Sequence, residues 1–152
     1  MPQLTLHSPV GEITLSEEDG AIVSLDWGRS MENKSTPLLR KAKGQLDRYF
    51  DGKLKDFDLP LKPQGTEYQK RVWQAMCKIP YGRTKTYGDL AAALKSASRA
   101  VGGACGANHI PIIIPCHRVL AANGKLGGYS GEGGLDTKTA LLQLEGAILS
   151  GI

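Results

Sequence analysis

The chain has 152 residues, 41% of them hydrophobic and 22% charged, with a formal net charge of +4. That length suits one ordinary domain or two small ones, and the composition is that of a globular protein rather than a disordered or fibrous one. No run approaches the roughly 18 consecutive apolar residues of a membrane helix, and no charged segment leading into an apolar core resembles a secretory signal.

Only three cysteines occur, Cys77, Cys105 and Cys116. A sparse, odd count argues against a disulfide scaffold and for a reducing compartment. Charge is uneven. Residues 1–61 carry 8 Lys+Arg against 10 Asp+Glu, a net −2, and residues 62–152 carry 11 against 5, a net +6. A basic half beside an acidic one suits a polyanion partner, most simply nucleic acid, or else a solvated lysine surface.

In chain order, Leu4 and Leu6, then Ile13 and Leu15, alternate with polar residues on either side of a Ser8–Gly11 turn. Glu17–Gly20 is a second turn and Ala21–Trp27 a third strand, which together predict an antiparallel meander. Residues 35–51 read as a helix, with Ser35 or Thr36 as cap, Pro37 in the first turn, and Leu38, Leu39, Ala42, Leu46, Tyr49 and Phe50 at helical spacing to cover the meander. The Pro-, Lys- and Asp-rich residues 52–65 read as a link between subdomains.

Thr66 and Gln69 form a capping-box signature. The helix that follows carries Tyr68, Val72, Ala75, Met76 and Ile79 on one face and ends at Pro80. Two short helices, Tyr87–Leu94 and Ser98–Asn108, the second capped by Ser96 or Ser98, are spaced as a helix-turn-helix. The second contains Gly102, Gly103 and Gly106, each costing about 1 kcal/mol of helix stability relative to alanine. Such glycines imply close approach of a neighbouring helix or of a nucleic-acid backbone. Arg99, in the first turn, opposes the helix dipole and so is placed to reach a ligand.

The run Ile110–Pro115 reads as a short buried strand or extended segment leading into Cys116-His117-Arg118. Free thiols are commonly inert apolar fillers, but the basic neighbours here are expected to lower the Cys116 pKa and favour thiolate. A Gly-rich loop follows, with Tyr129 and Ser130 at its centre. The last helix, Asp136–Leu149, carries Leu141, Leu142 and Leu144 for packing and Lys138 and Glu145 as polar positions.

Arg99-Ala-Val-Gly-Gly-Ala, Asn108, Ile-Pro-Ile-Ile-Ile-Pro-Cys-His-Arg-Val, Gly-Gly-Tyr-Ser-Gly and Leu-Glu-Gly together resemble the O6-alkylguanine-DNA alkyltransferases. The resemblance spans the whole chain. It implies an α+β protein with an N-terminal antiparallel β-sheet subdomain of ribonuclease H-like type plus a helix, residues 1–62. A mostly α C-terminal domain with the helix-turn-helix, residues 63–152, would bind DNA and accept the alkyl group. The implied reaction is a stoichiometric, irreversible transfer from O6-alkylguanine, and O4-alkylthymine, to Cys116 after base flipping.

Roles follow by the same resemblance. His117 is the base acting through a water, Glu145 its orienting carboxylate, and Asn108 the hinge. Tyr87 crowds the phosphate, Arg99 fills the stack, and Tyr129 and Ser130 form a lid. Val119 contacts the guanine through its main chain, and Lys138 is a pocket lysine. Ser98, Gly102, Gly103 and Arg118 join the DNA surface. The implied partner is double-stranded DNA bound through its minor groove, by a monomeric, prokaryotic cytoplasmic protein that is nucleoid-associated when on DNA, with no membrane and no cofactor.

The chemistry points the same way. An alkyl carbon on guanine oxygen is a soft electrophile suited to a thiolate, and a stacked base must leave the duplex to be reached. His109 stands where many members have proline. The N-terminal half has no cysteine and only His7, so a tetrahedral zinc site is not expected there. Two rivals remain: a non-catalytic helix-turn-helix lesion-binding protein, and a cysteine hydrolase. The hydrolase would need direct Cys116–His117 contact, which an extended chain disfavours because adjacent side chains point to opposite faces.

Overall fold

The computed structural model describes residues 1–127 and 134–147, and the chain divides into two units, Met1–Gln64 and Gly65–Ile152. In the first, β1 (Gln3–Leu6), β2 (Ile13–Glu18) and β3 (Ala21–Trp27) form an antiparallel sheet in sequential order. Leu4 faces Leu15, and Leu15 faces Leu25, across the ladders.

Helix α1 (Pro37–Phe50) packs on β1 and β2. The Thr36 hydroxyl accepts from the Leu39 amide, which caps the helix, and Pro37 occupies the first turn where its missing N–H costs nothing. Leu39, Ala42, Leu46 and Tyr49 are buried with Leu6, Ile13, Leu15, Ile22 and Leu25.

The supposed link does more than connect. Pro60 and Lys62 exchange main-chain hydrogen bonds of 2.9 Å with Ile22, which lays Leu61 parallel to β3. Gln45 holds the Asp58 backbone by both amide atoms. Unpaired strand edges bind whatever donors and acceptors arrive, and here the proline-rich segment covers one.

In the second unit, α2 (Glu67–Cys77) starts with the reciprocal capping box of Thr66 and Gln69. Strand β4 (Lys85–Thr86) pairs in parallel with β5 (Val119–Leu120). Helices α3 (Tyr87–Leu94) and α4 (Ser98–Gly106) are joined by three residues, of which Lys95 takes the left-handed conformation that ends α3.

The expected serine cap of α4 is not formed. Ala97 occupies the cap position, and the Ser96 hydroxyl is bound instead to Tyr68 at 2.6 Å. Trp73, absent from the expected apolar face of α2, is the side chain that braces α4: it is buried, and its indole N–H donates to the Ala104 carbonyl at 2.8 Å.

The last helix, α5, runs Leu135–Leu144. Its end is set by Gly146, at φ 75°, with Gly146 N–H to Gln143 and Ala147 N–H to Leu142. That is the Schellman arrangement, and it leaves Glu145 as the C-cap residue.

Candidate active site

The apolar run before Cys116 is not a strand. Ile114 N–H bonds back to the Ile110 carbonyl at 2.9 Å, and Ile112 sits at φ 74°, a region β-branched residues avoid. Such strain persists only where the surroundings over-determine it. Here Asn108 supplies part of that determination: its carboxamide accepts from Ile110 N–H at 2.9 Å and donates to the Ile114 carbonyl at 3.0 Å. Asn108 thus closes the turn that follows α4.

Pro115, at φ −80° and ψ 66°, makes an inverse γ-turn in which Cys116 N–H donates to Ile114 at 2.8 Å. Cys116–Arg118 then winds as one turn of 3-10 helix. A 3-10 turn sends three successive side chains in three directions, where an extended chain would alternate them.

Cys116 is 4% exposed and lies near Lys138 and the carboxamide of Asn108. His117 is fully buried, and its Nε2 is 2.7 Å from Glu145 Oε2. Arg118 is buried as well. Its Nε donates to Glu145 Oε1 at 2.8 Å, its Nη2 to Glu145 Oε2 at 3.1 Å, and its Nη1 to the Ile79 carbonyl at 2.8 Å. Arg118, expected at the DNA surface, therefore has its guanidinium turned inward and occupied by Glu145 and Ile79.

Lys138 is fully buried and donates to the Val119 carbonyl at 2.7 Å, with its ammonium 6.0 Å from the Tyr87 ring centre. The β4–β5 pairing sets Lys85 opposite Val119 and Thr86 opposite Leu120, with Tyr87 directly after β4. Tyr87 also packs closely on Gly127, where an added Cβ would lie 3.2 Å from the ring. Asn108, Cys116, His117, Glu145 and Arg118 thus form one cluster, and Tyr87, Val119 and Lys138 adjoin it. Tyr129 and Ser130 lie outside the described residues.

The pKa directions revise one expectation. The Cys116 thiol is raised, not lowered: burial dominates, and the Asn108 hydrogen bond and the Lys138 charge offset it only in part. Of the two basic residues that follow it in sequence, Arg118 is paired with Glu145 and His117 is hydrogen-bonded to the same carboxylate. His117 is pushed below its ordinary 6.5 chiefly by burial, against the pull of Glu145 and with help from the Arg118 and Lys138 charges. The imidazole is therefore neutral at pH 7.

A carboxylate can only accept, so the proton between them belongs to His117 Nε2. Nδ1 is then the basic nitrogen. It is buried and without a hydrogen-bond partner among the described residues.

Ser98, Arg99 and Gly103 are exposed on α4, and Gly102 is half-buried. No heavy atom of the described residues outside that helix lies within 4 Å of a Cβ built on Gly102, Gly103 or Gly106. Packing against a neighbouring helix among the described residues therefore does not explain these glycines. Gly103→Ala is expected to raise the stability of the free protein by about 0.5–1 kcal/mol, since it only removes backbone freedom from the unfolded chain. A urea midpoint that falls instead would show a neighbour at that position. Among the described residues no group of three His, Cys, Asp or Glu side chains could hold a metal ion, and no helix is long and apolar enough to cross a membrane.

Residues 67–147 match the family model described as 6-O-methylguanine DNA methyltransferase, DNA binding domain, and residues 3–63 match its ribonuclease-like domain. The chain belongs to the 6-O-methylguanine DNA methyltransferase family. A methylated-DNA–protein-cysteine methyltransferase of Methanosarcina mazei is 52% identical over 135 residues, 88% of this chain and 81% of that protein. The constitutive methyltransferase of that name from Bacillus subtilis is 44% identical over 154 residues, 93% of each chain. The crystal structure of Mycobacterium tuberculosis OGT in complex with DNA superposes with a TM-score of 0.87 at 42% identity, covering 97% of this chain and 94% of that one.

Proposed function

We propose that this member of the methyltransferase family repairs DNA by direct reversal, moving the alkyl group of O6-alkylguanine in duplex DNA onto Sγ of Cys116. The observation that carries the reading is the buried set Cys116, His117 and Glu145, in which the carboxylate is bonded to the imidazole at 2.7 Å. With Nε2 committed to Glu145, Nδ1 of His117 takes the thiol proton through a bridging water, as a general base near its operating pH does.

The thiolate attacks the alkyl carbon. The S–C bond forms as the C–O bond breaks, the electron pair stays on the guanine oxygen, and the base is reprotonated to guanine. Burial of Cys116 holds it as thiol in the resting protein, so the proton leaves only when a substrate is in place. The product is a thioether, which no neighbouring group among the described residues can displace, and each molecule turns over once.

The target carbon lies inside a stacked duplex, so the nucleotide must rotate out at a cost of a few kcal/mol. Tyr87, whose ring centre is 6.0 Å from the Lys138 ammonium, would crowd the target phosphate, and Arg99, exposed in the first turn of α4, would fill the space the base leaves. Side-chain insertion of this kind is a minor-groove device. The Gly102–Gly103 face of α4 lets the DNA backbone approach, so Gly103→Ala should weaken duplex binding while it stabilises the free protein.

Arg99→Ala is expected to slow repair of a duplex lesion by about tenfold or more, and to leave the reaction with free O6-methylguanine base unchanged; equal rates on duplex for both proteins would remove Arg99 from this role. The reading as a whole is tested with a duplex carrying one O6-methylguanine. Nucleoside analysis should show guanine in its place, and the intact protein mass should rise by one methyl. Binding without either change would select the lesion-binding alternative.

A further inference from the structure

Glu145 stands where physics disfavours a carboxylate. It is 6% exposed and is the C-cap of α5, at the negative end of a helix dipole. A buried carboxylate at that end keeps its charge only with a compensating cation and satisfied oxygens. Arg118 supplies both. It approaches Glu145 in the two-pronged manner of a guanidinium on a carboxylate, through Nε to Oε1 at 2.8 Å and Nη2 to Oε2 at 3.1 Å.

The guanidinium is itself held on two further sides. Nη1 donates to the Ile79 carbonyl just beyond α2, and the Tyr81 ring lies 5.8 Å from Cζ. The turn carrying these groups also touches the helix end. Tyr81 Oη donates to the Leu144 carbonyl at 3.4 Å, and an added Cβ on Gly82 would lie 3.1 Å from the Glu145 carbonyl oxygen.

We infer that Arg118 is a positioning residue for the transfer reaction, which fixes both oxygens of Glu145 so that Oε2 receives His117 Nε2–H and Nδ1 is left to take the Cys116 proton. This rests on the role proposed for His117. Its consequence is that the residue following the Cys-His pair acts through the carboxylate rather than on DNA. The charged and titratable groups around His117 are Glu145, Arg118 and Lys138, and those around Arg118 are Glu145, Tyr81 and Cys77.

Arg118 presses the imidazole toward its neutral form, while Glu145 favours the cation. Loss of the arginine charge leaves the attraction of the Glu145 carboxylate less opposed, so the pH below which His117 is protonated and useless as a base moves up.

The test is the single-turnover rate of methyl transfer from a lesion duplex, followed across pH for the wild type, Arg118→Met and Arg118→Lys, with duplex affinity measured in parallel. Arg118→Met should slow transfer at pH 7 on the order of tenfold or more, as a misplaced catalytic group does, shift the acid limb of the profile to higher pH, and leave duplex affinity within about twofold. Arg118→Lys should restore most of the acid-limb position, because it keeps the charge, and only part of the rate, because it loses the second prong.

If Arg118→Met does not fold, the lysine variant carries the test by its rate deficit at unchanged affinity. A methylated wild type with an unshifted profile and an undiminished rate in Arg118→Met, an Arg118→Lys protein with the full wild-type rate, or variants that lose duplex affinity at full transfer rate, would overturn the inference. A wild type that acquires no methyl would overturn the proposed function instead.

Discussion

Cys116→Ala is expected to abolish methyl transfer completely and to leave duplex binding within about twofold of wild type. The sulfur is the atom the proposed reaction consumes, whereas the exposed side chains of α4 proposed to meet DNA lie elsewhere. Serine at the same position should be equally dead, because an alkoxide is both harder and far less accessible than a thiolate.

Cys105 makes the control. Its thiol is buried and pushed up to about 12 by burial and by the nearby Cys116, and its Sγ rests 3.5 Å from the Met76 sulfur. Cys105→Ala should keep transfer, with a loss of stability near the low end of that for buried truncations. The rate at which O6-methylguanine disappears from a defined duplex measures both variants. A Cys116→Ala protein that still clears the lesion would end the account.

Glu145→Gln should be nearly as damaging, for two separate reasons. The buried guanidinium of Arg118 loses its counter-charge, which typically costs about 3–5 kcal/mol. The amide can also donate to His117 Nε2, which moves the ring proton to Nδ1 and removes the base. General-base contributions run to about 10²–10⁴-fold, and the transfer rate should fall within that range while the folded fraction still binds DNA.

The same burial gives a pH signature. His117 has its pKa lowered in the folded protein, so below about pH 6.5 the unfolded chain binds a proton that the folded chain refuses. Stability is therefore retained above that pH and lost as pH falls toward the depressed folded value. His117→Gln should flatten this part of the stability profile in urea titrations, and a variant that loses stability as steeply as wild type between pH 6.5 and 5 would contradict it.

Much of the fold was written in local signals. Thr36, Pro37 and the Thr66–Gln69 pair mark helix starts by short-range hydrogen bonding, so sequence spacing suffices to find them. The meander of β1–β3 follows from alternation alone. What escaped was set by tertiary contacts. Ser96 looked like a cap but is taken by Tyr68, a partner 28 residues away. The isoleucine run looked like a strand because period and β-branching say so, yet Asn108 folds it into a turn.

Arg118 shows the limit most sharply. The family resemblance put it on the DNA surface, and its charge beside Cys116 suggested a depressed thiol pKa. Only the position of Glu145, 27 residues on at the end of α5, turns the guanidinium inward and leaves Cys116 governed by burial. Cys116 and His117 were legible as a pair because they sit together in the chain, whereas the orientation of the imidazole depends on groups from the ends of α2 and α5.

The most direct measurement of the central claim is a peptide map of the protein after reaction with excess duplex carrying isotopically labelled O6-methylguanine. The account predicts label saturating at one methyl per molecule, all of it on the peptide containing Cys116, and none on Cys77 or Cys105. Label on either of those cysteines, more than one methyl per chain, or label that returns to solution on standing would contradict it.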